Sequence, residues 1–278
     1  MNAAVPSLTP AAAIADITVG DRALRIEHTW VGLADAQAPL MVFLHEGLGS
    51  VGMWRDFPHR LCEALGWRGL VYSRPGYGQS TPRPPDEAWK PDFMHRQALE
   101  VLPALLAALG VDTDRQPPWL FGHSDGGSIA LLHAALRPSH TAGLVVLAPH
   151  ILVEDISVAS IEQARLAYLG TGLRSRLARY HADPDSAFWG WNNVWLSTAF
   201  RSWNITHELA TIRCPVLAVQ GLDDEYGTLA QIRGIRGVVP HTQLLELPAC
   251  GHSPHKDQPQ AVIDAVRAFA AQAPERVG

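Results

Sequence analysis

Pro118-Trp119-Leu120-Phe121-Gly122-His123-Ser124-Asp125-Gly126-Gly127-Ser128-Ile129-Ala130-Leu131-Leu132 is the stretch whose reading decides the fold. Pro118–Phe121 is a short apolar run, the mark of a strand buried on both faces. Ser128–Leu136 reads as an apolar helix. A serine in so tight a strand-to-helix turn is forced into a strained backbone conformation. A Cβ two residues before or after it would collide with the neighbouring strand or helix, hence Gly122 and Gly126. The strain presents the Ser124 hydroxyl at the carboxyl end of the sheet, and the backbone N–H of Asp125 falls at a helix N-terminus, where it stabilises negative charge. A G-x-S-x-G string by itself is weak; the strand before it and the helix after it make it specific.

Outward from this turn, strand and helix signals alternate. Ala15–Val19 and Leu24–Val31 read as an opening hairpin around Gly20-Asp21. Pro39–Leu44, Gly69–Ser73, Gly143–Ala148, Val216–Gln220 and Gln243–Leu247 read as buried strands. Helices are expected over Val51–Leu65, Phe93–Leu109, Leu229–Ile235 and Pro259–Ala271. Such alternation predicts an α/β fold, a mostly parallel sheet covered on both faces by right-handed crossovers. Residues 151–209 break the pattern. They hold no convincing strand, and helices are expected over Ser157–Leu169 and from Asp183-Pro184, an N-cap followed by proline at the first helical position. The chain is therefore divided into a core of 1–150 and 210–278 and an inserted helical cap over 151–209.

A serine at its free pKa needs a base, and the base an orienting acid. Asp223-Asp224-Glu225 follows the strand Val216–Gln220, and Cys250-Gly251-His252 follows the strand Gln243–Leu247. Both sit at the sheet edge that presents Ser124, the edge where open α/β sheets bind ligands. His252 is the candidate general base, and Asp223 and Asp224 are the candidate acids. His252 and His255 form an H-x-x-H, but no second ligand pair of suitable spacing accompanies it, so no metal is expected. A second donor for the oxyanion should come from the loop His45-Glu46-Gly47-Leu48-Gly49-Ser50, after the strand Pro39–Leu44.

Composition excludes several classes. In 278 residues, 47% hydrophobic content supports a sizeable core and excludes a largely disordered chain. No apolar run reaches the ~20 residues of a membrane span. Net charge is 22 − 27 = −5, with dispersed basic residues, which gives no footprint for nucleic acid or an anionic membrane. Cys62, Cys214 and Cys250 form no CxxC pair, so neither a disulfide framework nor a zinc knuckle is expected. The Ala-rich residues 1–16 lack a positive n-region and are broken by Pro6, Pro10 and Asp16. They read as a tail of a cytoplasmic protein, not a signal peptide.

These residues resemble the α/β-hydrolase superfamily over essentially the whole chain. The matching motifs are the oxyanion loop His45-Glu46-Gly47, the turn Ser73-Arg74-Pro75-Gly76-Tyr77-Gly78-Gln79-Ser80, the elbow at Ser124, and the pair Asp224 and His252. The resemblance implies an eight-stranded sheet with its second strand antiparallel, a cap after the sixth strand, no cofactor, and a Ser124–His252–Asp224 triad. It favours Asp224 over Asp223 by its distance from Gly221. Two departures stand out. The oxyanion donors are expected to be the N–H groups of Gly47 and Asp125; Glu46 replaces a usual glycine, which makes Leu48 the alternative to Gly47. Ser73 replaces a common aspartate, a structural change. A serine nucleophile argues against the haloalkane dehalogenase and epoxide hydrolase branches.

Phe188, Trp191 and Trp195 recur on one helical face of the expected cap, which is core or the roof of the site or both. His150, just past the strand Gly143–Ala148, should lie at the same edge. These four are the candidate substrate-binding residues, and an aromatic or apolar acyl group is the expected substrate part. Arg174, Arg176 and Arg179 read as a solvated helix face rather than an anion site. The expected function is hydrolysis of a small ester through an acyl-enzyme by a monomer or homodimer without a macromolecular partner. The same triad would serve a C–C hydrolase, thioesterase or lactonase; a ligand-binding receptor or cofactor-free oxygenase on this scaffold is the remoter reading.

Overall fold

The computed structural model describes residues 12–272. The expected tail over 1–16 falls largely outside them. The sheet has eight strands: β1 (Ala13–Val19), β2 (Arg22–Gly32), β3 (Leu40–Leu44), β4 (Arg68–Tyr72), β5 (Trp119–His123), β6 (Gly143–Leu147), β7 (Val216–Gly221) and β8 (Gln243–Leu247). They lie in the order β1-β2-β4-β3-β5-β6-β7-β8. β2 runs antiparallel to both β1 and β4, and every other pairing is parallel.

Helices follow the strands: α1 (Phe57–Leu65), α2 (Phe93–Arg96), α3 (Leu102–Ala108), α4 (Asp125–Leu136), α5 (Asp155–Gly170), α6 (Leu173–Leu177), α7 (Pro184–Trp195), α8 (Ala230–Val238), α9 (Pro254–Asp257) and α10 (Pro259–Gln272). Alternate strand residues feed two cores. Met41 and Phe43 pack with Trp54, Leu61, Phe121 and Phe269 on one face of the sheet. Val42 and Leu44 pack with Leu120, Ile129 and the α7 aromatics on the other. Every residue of α4 except Leu136 is buried, which explains its lack of a polar face. Among the described residues no helix is long and apolar enough to cross a membrane.

Prolines account for two departures from the expected helices. The single helix over Val51–Leu65 is instead a 3₁₀ turn, Val51–Trp54, followed by α1. Pro58 fits only a first helical turn, so the α-helix cannot start much earlier. The helix over Phe93–Leu109 contains a π turn at Gln97–Val101, in which the N–H of Leu102 reaches back to the Gln97 carbonyl. Pro103, next in line, has no N–H for the Leu99 carbonyl, and the wider turn accommodates it. The start expected at Asp183-Pro184 is present: the Asp183 carboxylate accepts the Ser186 N–H at 2.9 Å.

Candidate active site

Ser124 links β5 to α4 with φ 52° and ψ −122°. Its N–H donates to the Leu147 carbonyl of β6 (2.9 Å) and its carbonyl accepts from Ser128 N–H (3.0 Å). A Cβ on Gly122 would stand 2.3 Å from the Gly126 carbonyl oxygen, and one on Gly126 2.0 Å from that of Leu44. The turn therefore closes only on glycine at both positions. Ala148 and Ala249, at the exits of β6 and β8, also have positive φ (44° and 51°). Strain of order 1–3 kcal/mol per residue is thus held at three strand ends around one site.

The loop carrying His252 is tied at three points. Gly251 N–H donates to Asp257 Oδ2 (2.9 Å), His252 N–H to Glu225 Oε2 (3.1 Å), and His123 Nε2–H to the His252 carbonyl (2.7 Å). The imidazole stands between a carboxylate and a hydroxyl: Nδ1 is 2.8 Å from Asp224 Oδ1 and Nε2 is 3.0 Å from Ser124 Oγ. Since a carboxylate can only accept, Nδ1 carries the proton and Nε2 is left to accept from the serine. Asp224 Oδ1 also takes the Tyr226 N–H (2.8 Å), and Oδ2 takes Gln220 Nε2–H (3.0 Å). Burial pushes this carboxyl up, but the His252 hydrogen bond and charge outweigh it and hold it below the usual aspartate value. Asp223 is exposed, its N–H spent on the Cys250 carbonyl.

The loop of residues 45–50 after β3 is anchored from below. The Glu46 carbonyl accepts from His45 Nδ1–H (2.7 Å), Arg74 Nη2–H (2.8 Å) and Gly49 N–H (3.1 Å). His45 Nε2 in turn accepts the Arg74 N–H (3.0 Å). Burial first, then the Arg74 charge, keeps His45 neutral, as this pair of roles requires. The peptide is trans, so the Gly47 N–H points opposite to the anchored carbonyl. The indole of Trp191 lies over Gly47, where a Cβ would be 2.2 Å from Nε1. The Glu46 side chain, half-buried yet held ionised by the Lys256 ammonium (3.2 Å), bridges this loop to α9, which follows His252.

Above Ser124 lies a cavity of about 170 Å³. Its apolar wall is Leu48, Ile161, Trp191, Trp195 and Tyr226, and Glu46, His150, Glu225 and Ser253 add polar groups. The structure thus gathers Ser124, Asp125, His252, Gly47, His150, Trp191 and Trp195 in one place, with Asp224 beneath the imidazole. Phe188 does not belong to it. It is fully buried, stacked on Tyr168 with ring centroids 3.7 Å apart, because it lies a turn below the part of α7 that meets the cavity. Arg174 is bound to Asp185 at the surface. Sequence reasoning missed Arg74, Tyr226 and Ile161; the only signal for Arg74 was its place directly after a buried strand.

Residues 41–265 match the model of the alpha/beta hydrolase family. The chain belongs to that family. Among curated relatives of this hydrolase is the sn-1-specific diacylglycerol lipase ABHD11 of Mus musculus, 26% identical over 85% of this chain and 82% of the lipase. Another is the 2-hydroxy-6-oxo-6-phenylhexa-2,4-dienoate hydrolase of Burkholderia cepacia, 22% identical over 85% of this chain and 88% of that enzyme. The enol-lactonase of Burkholderia xenovorans LB400 has the same fold, with a TM-score of 0.71 at 19% identity over 92% of this chain and 100% of the lactonase. Hydrolysis is the common reaction class of these relatives, and the bond cleaved differs among them.

Asp125, beside Ser124, is a fully buried carboxylate that accepts Trp195 Nε1–H (3.1 Å) and faces Arg74 Nη2 at 3.7 Å. Burial raises it to about 6 against the opposing pull of Arg74 and Trp195. Because folding raises this carboxyl, its contribution to stability is full below the unfolded value of about 4 and is lost as pH rises through about 6. Asp125→Asn keeps an acceptor for Trp195 and cannot ionise. Its melting temperature should therefore gain on the parent's between about pH 4 and pH 8; a difference constant with pH would show that Asp125 does not titrate there.

Proposed function

We propose that the protein is a serine hydrolase that cleaves a small ester through an acyl-enzyme. Ser124 attacks the carbonyl while His252 Nε2 takes its proton, and Asp224 holds the tautomer and stabilises the imidazolium. The oxyanion rests on the N–H groups of Gly47 and Asp125. Gly47 is favoured over Leu48 because the three bonds on the Glu46 carbonyl aim the following N–H the other way. His252 then returns its proton to the leaving alkoxide, and by the same route activates water to release the acid.

Residues 151–209 act as the cap, with Trp191 and Trp195 of α7 as its roof and an apolar acyl group beneath them. The observation that carries the reading is the unbroken Asp224–His252–Ser124 chain at the carboxyl edge of the sheet. A fluorophosphonate probe should label Ser124 in the native protein, and short p-nitrophenyl esters should be hydrolysed. A protein that neither reacts with the probe nor turns over any ester would overturn the assignment in favour of a binding role.

A further inference from the structure

His150 is a polar group that the proposed chemistry leaves unused. It lies past β6, where the strained Ala148 turns the chain toward the cavity. Ser128 of α4 clamps its backbone, donating to the His150 carbonyl (2.6 Å) and standing 3.1 Å from its N–H. The ring stands edge-on to Trp195 (4.9 Å between centroids) and 5.9 Å from the His252 ring. It is 3% exposed and lines the cavity. Nδ1 is sealed off without a partner, whereas Nε2, which makes no hydrogen bond either, keeps accessible surface. An unpaired polar nitrogen in a buried, clamped ring carries a cost that a bound polar atom would remove. Burial, then the nearby His252 charge, pushes the imidazole down to about 3, so it is uncharged at neutral pH.

The charge around the cavity points the same way. Among the described residues, no arginine or lysine lines it, whereas the Glu46 and Glu225 carboxylates do. Lys256 is engaged by Glu46 and Arg74 is buried beneath the loop. An anionic substrate would meet carboxylates with no free cation to offset them. The space is small: a cavity of about 170 Å³ is close to the ~150 Å³ that accommodates benzene.

Resting on the serine-hydrolase reading, we propose that His150 reads an uncharged oxygen on the substrate. The substrate is then a neutral ester or lactone of a short acid bearing a hydroxyl or keto group, and a free carboxylate or a coenzyme A ester is refused. A neutral imidazole has one donor and one acceptor nitrogen, so either oxygen type can be bound.

Methyl butyrate, methyl 3-hydroxybutyrate and monomethyl succinate, assayed by acid release, separate the possibilities. The parent enzyme should prefer the hydroxy ester over methyl butyrate by about tenfold in kcat/KM, the worth of one good hydrogen bond. Monomethyl succinate should be the poorest by about a hundredfold. His150→Phe should bring the first ratio to about one, and His150→Asn, which restores a donor and an acceptor, should recover part of it. A parent ratio near one, an unchanged ratio in His150→Phe, or ready turnover of the succinate would each overturn the inference; the parent values suffice if a variant does not fold. Failure of all three esters together with no fluorophosphonate labelling would instead remove the serine-hydrolase reading, and this inference with it.

Discussion

Ser124→Ala should lower the turnover of short neutral esters by about 10⁴-fold or more while leaving the melting temperature close to the parent's. The hydroxyl makes one side-chain contact of consequence, to His252 Nε2. The bonds that hold the elbow are backbone ones, from Ser124 N–H to Leu147 and from Ser128 N–H to the Ser124 carbonyl, and alanine keeps both. The strained φ of 52° is equally uncomfortable for serine and alanine, so the substitution neither relieves nor adds strain. Residual rate should come only from the oxyanion donors and from binding. Steady-state kinetics beside a thermal melt check both halves, and full hydrolysis by a folded Ser124→Ala protein would place the chemistry elsewhere.

Asp224→Asn should cost about 10³-fold or more in kcat and about 1–3 kcal/mol of stability, the penalty of a buried donor left without an acceptor. Three donors converge on this carboxylate, from His252, Tyr226 and Gln220. An asparagine has one acceptor oxygen, so whichever way its amide turns, an NH₂ group meets at least one of those donors. Turned toward His252, it forces the imidazole into the tautomer with its proton on Nε2, facing the serine. Turned the other way, it still leaves the imidazolium formed during attack without a negative partner. Asp223→Asn is the control: that side chain is exposed, and its variant should keep a rate close to the parent's. Equal losses in the two variants would shift the acid's role away from Asp224.

Much of the sheet was legible because parallel strands are buried on both faces and so appear as unbroken apolar runs between turn residues. Leu40–Leu44 and Val216–Gly221 begin and end within a residue of where the sequence puts them. Helix interruptions were less so. The π turn before Pro103 answers a missing donor, and a short apolar helix looks the same with or without it. In the site, Ser124 and His252 were legible through their position after strands. Whether Phe188 or Trp191 meets the cavity was not, since both lie on one stripe of α7 and only the packing of Tyr168 against the first separates them.

What the chain alone determined is local: a serine between glycines where a strand passes into a helix, and acidic and histidine residues after later strands, each dictated by backbone sterics over a few neighbours. The tertiary structure decided what depends on distant groups meeting. It put Asp224, and not its neighbour, against the His252 ring and Gln220. It aimed the Gly47 amide by joining His45 to Arg74, 29 residues apart in sequence, and it left the His150 imidazole unpaired in the cavity above Ser124. Such outcomes rest on side-chain contacts across the sheet edge, and no periodicity along the chain encodes them.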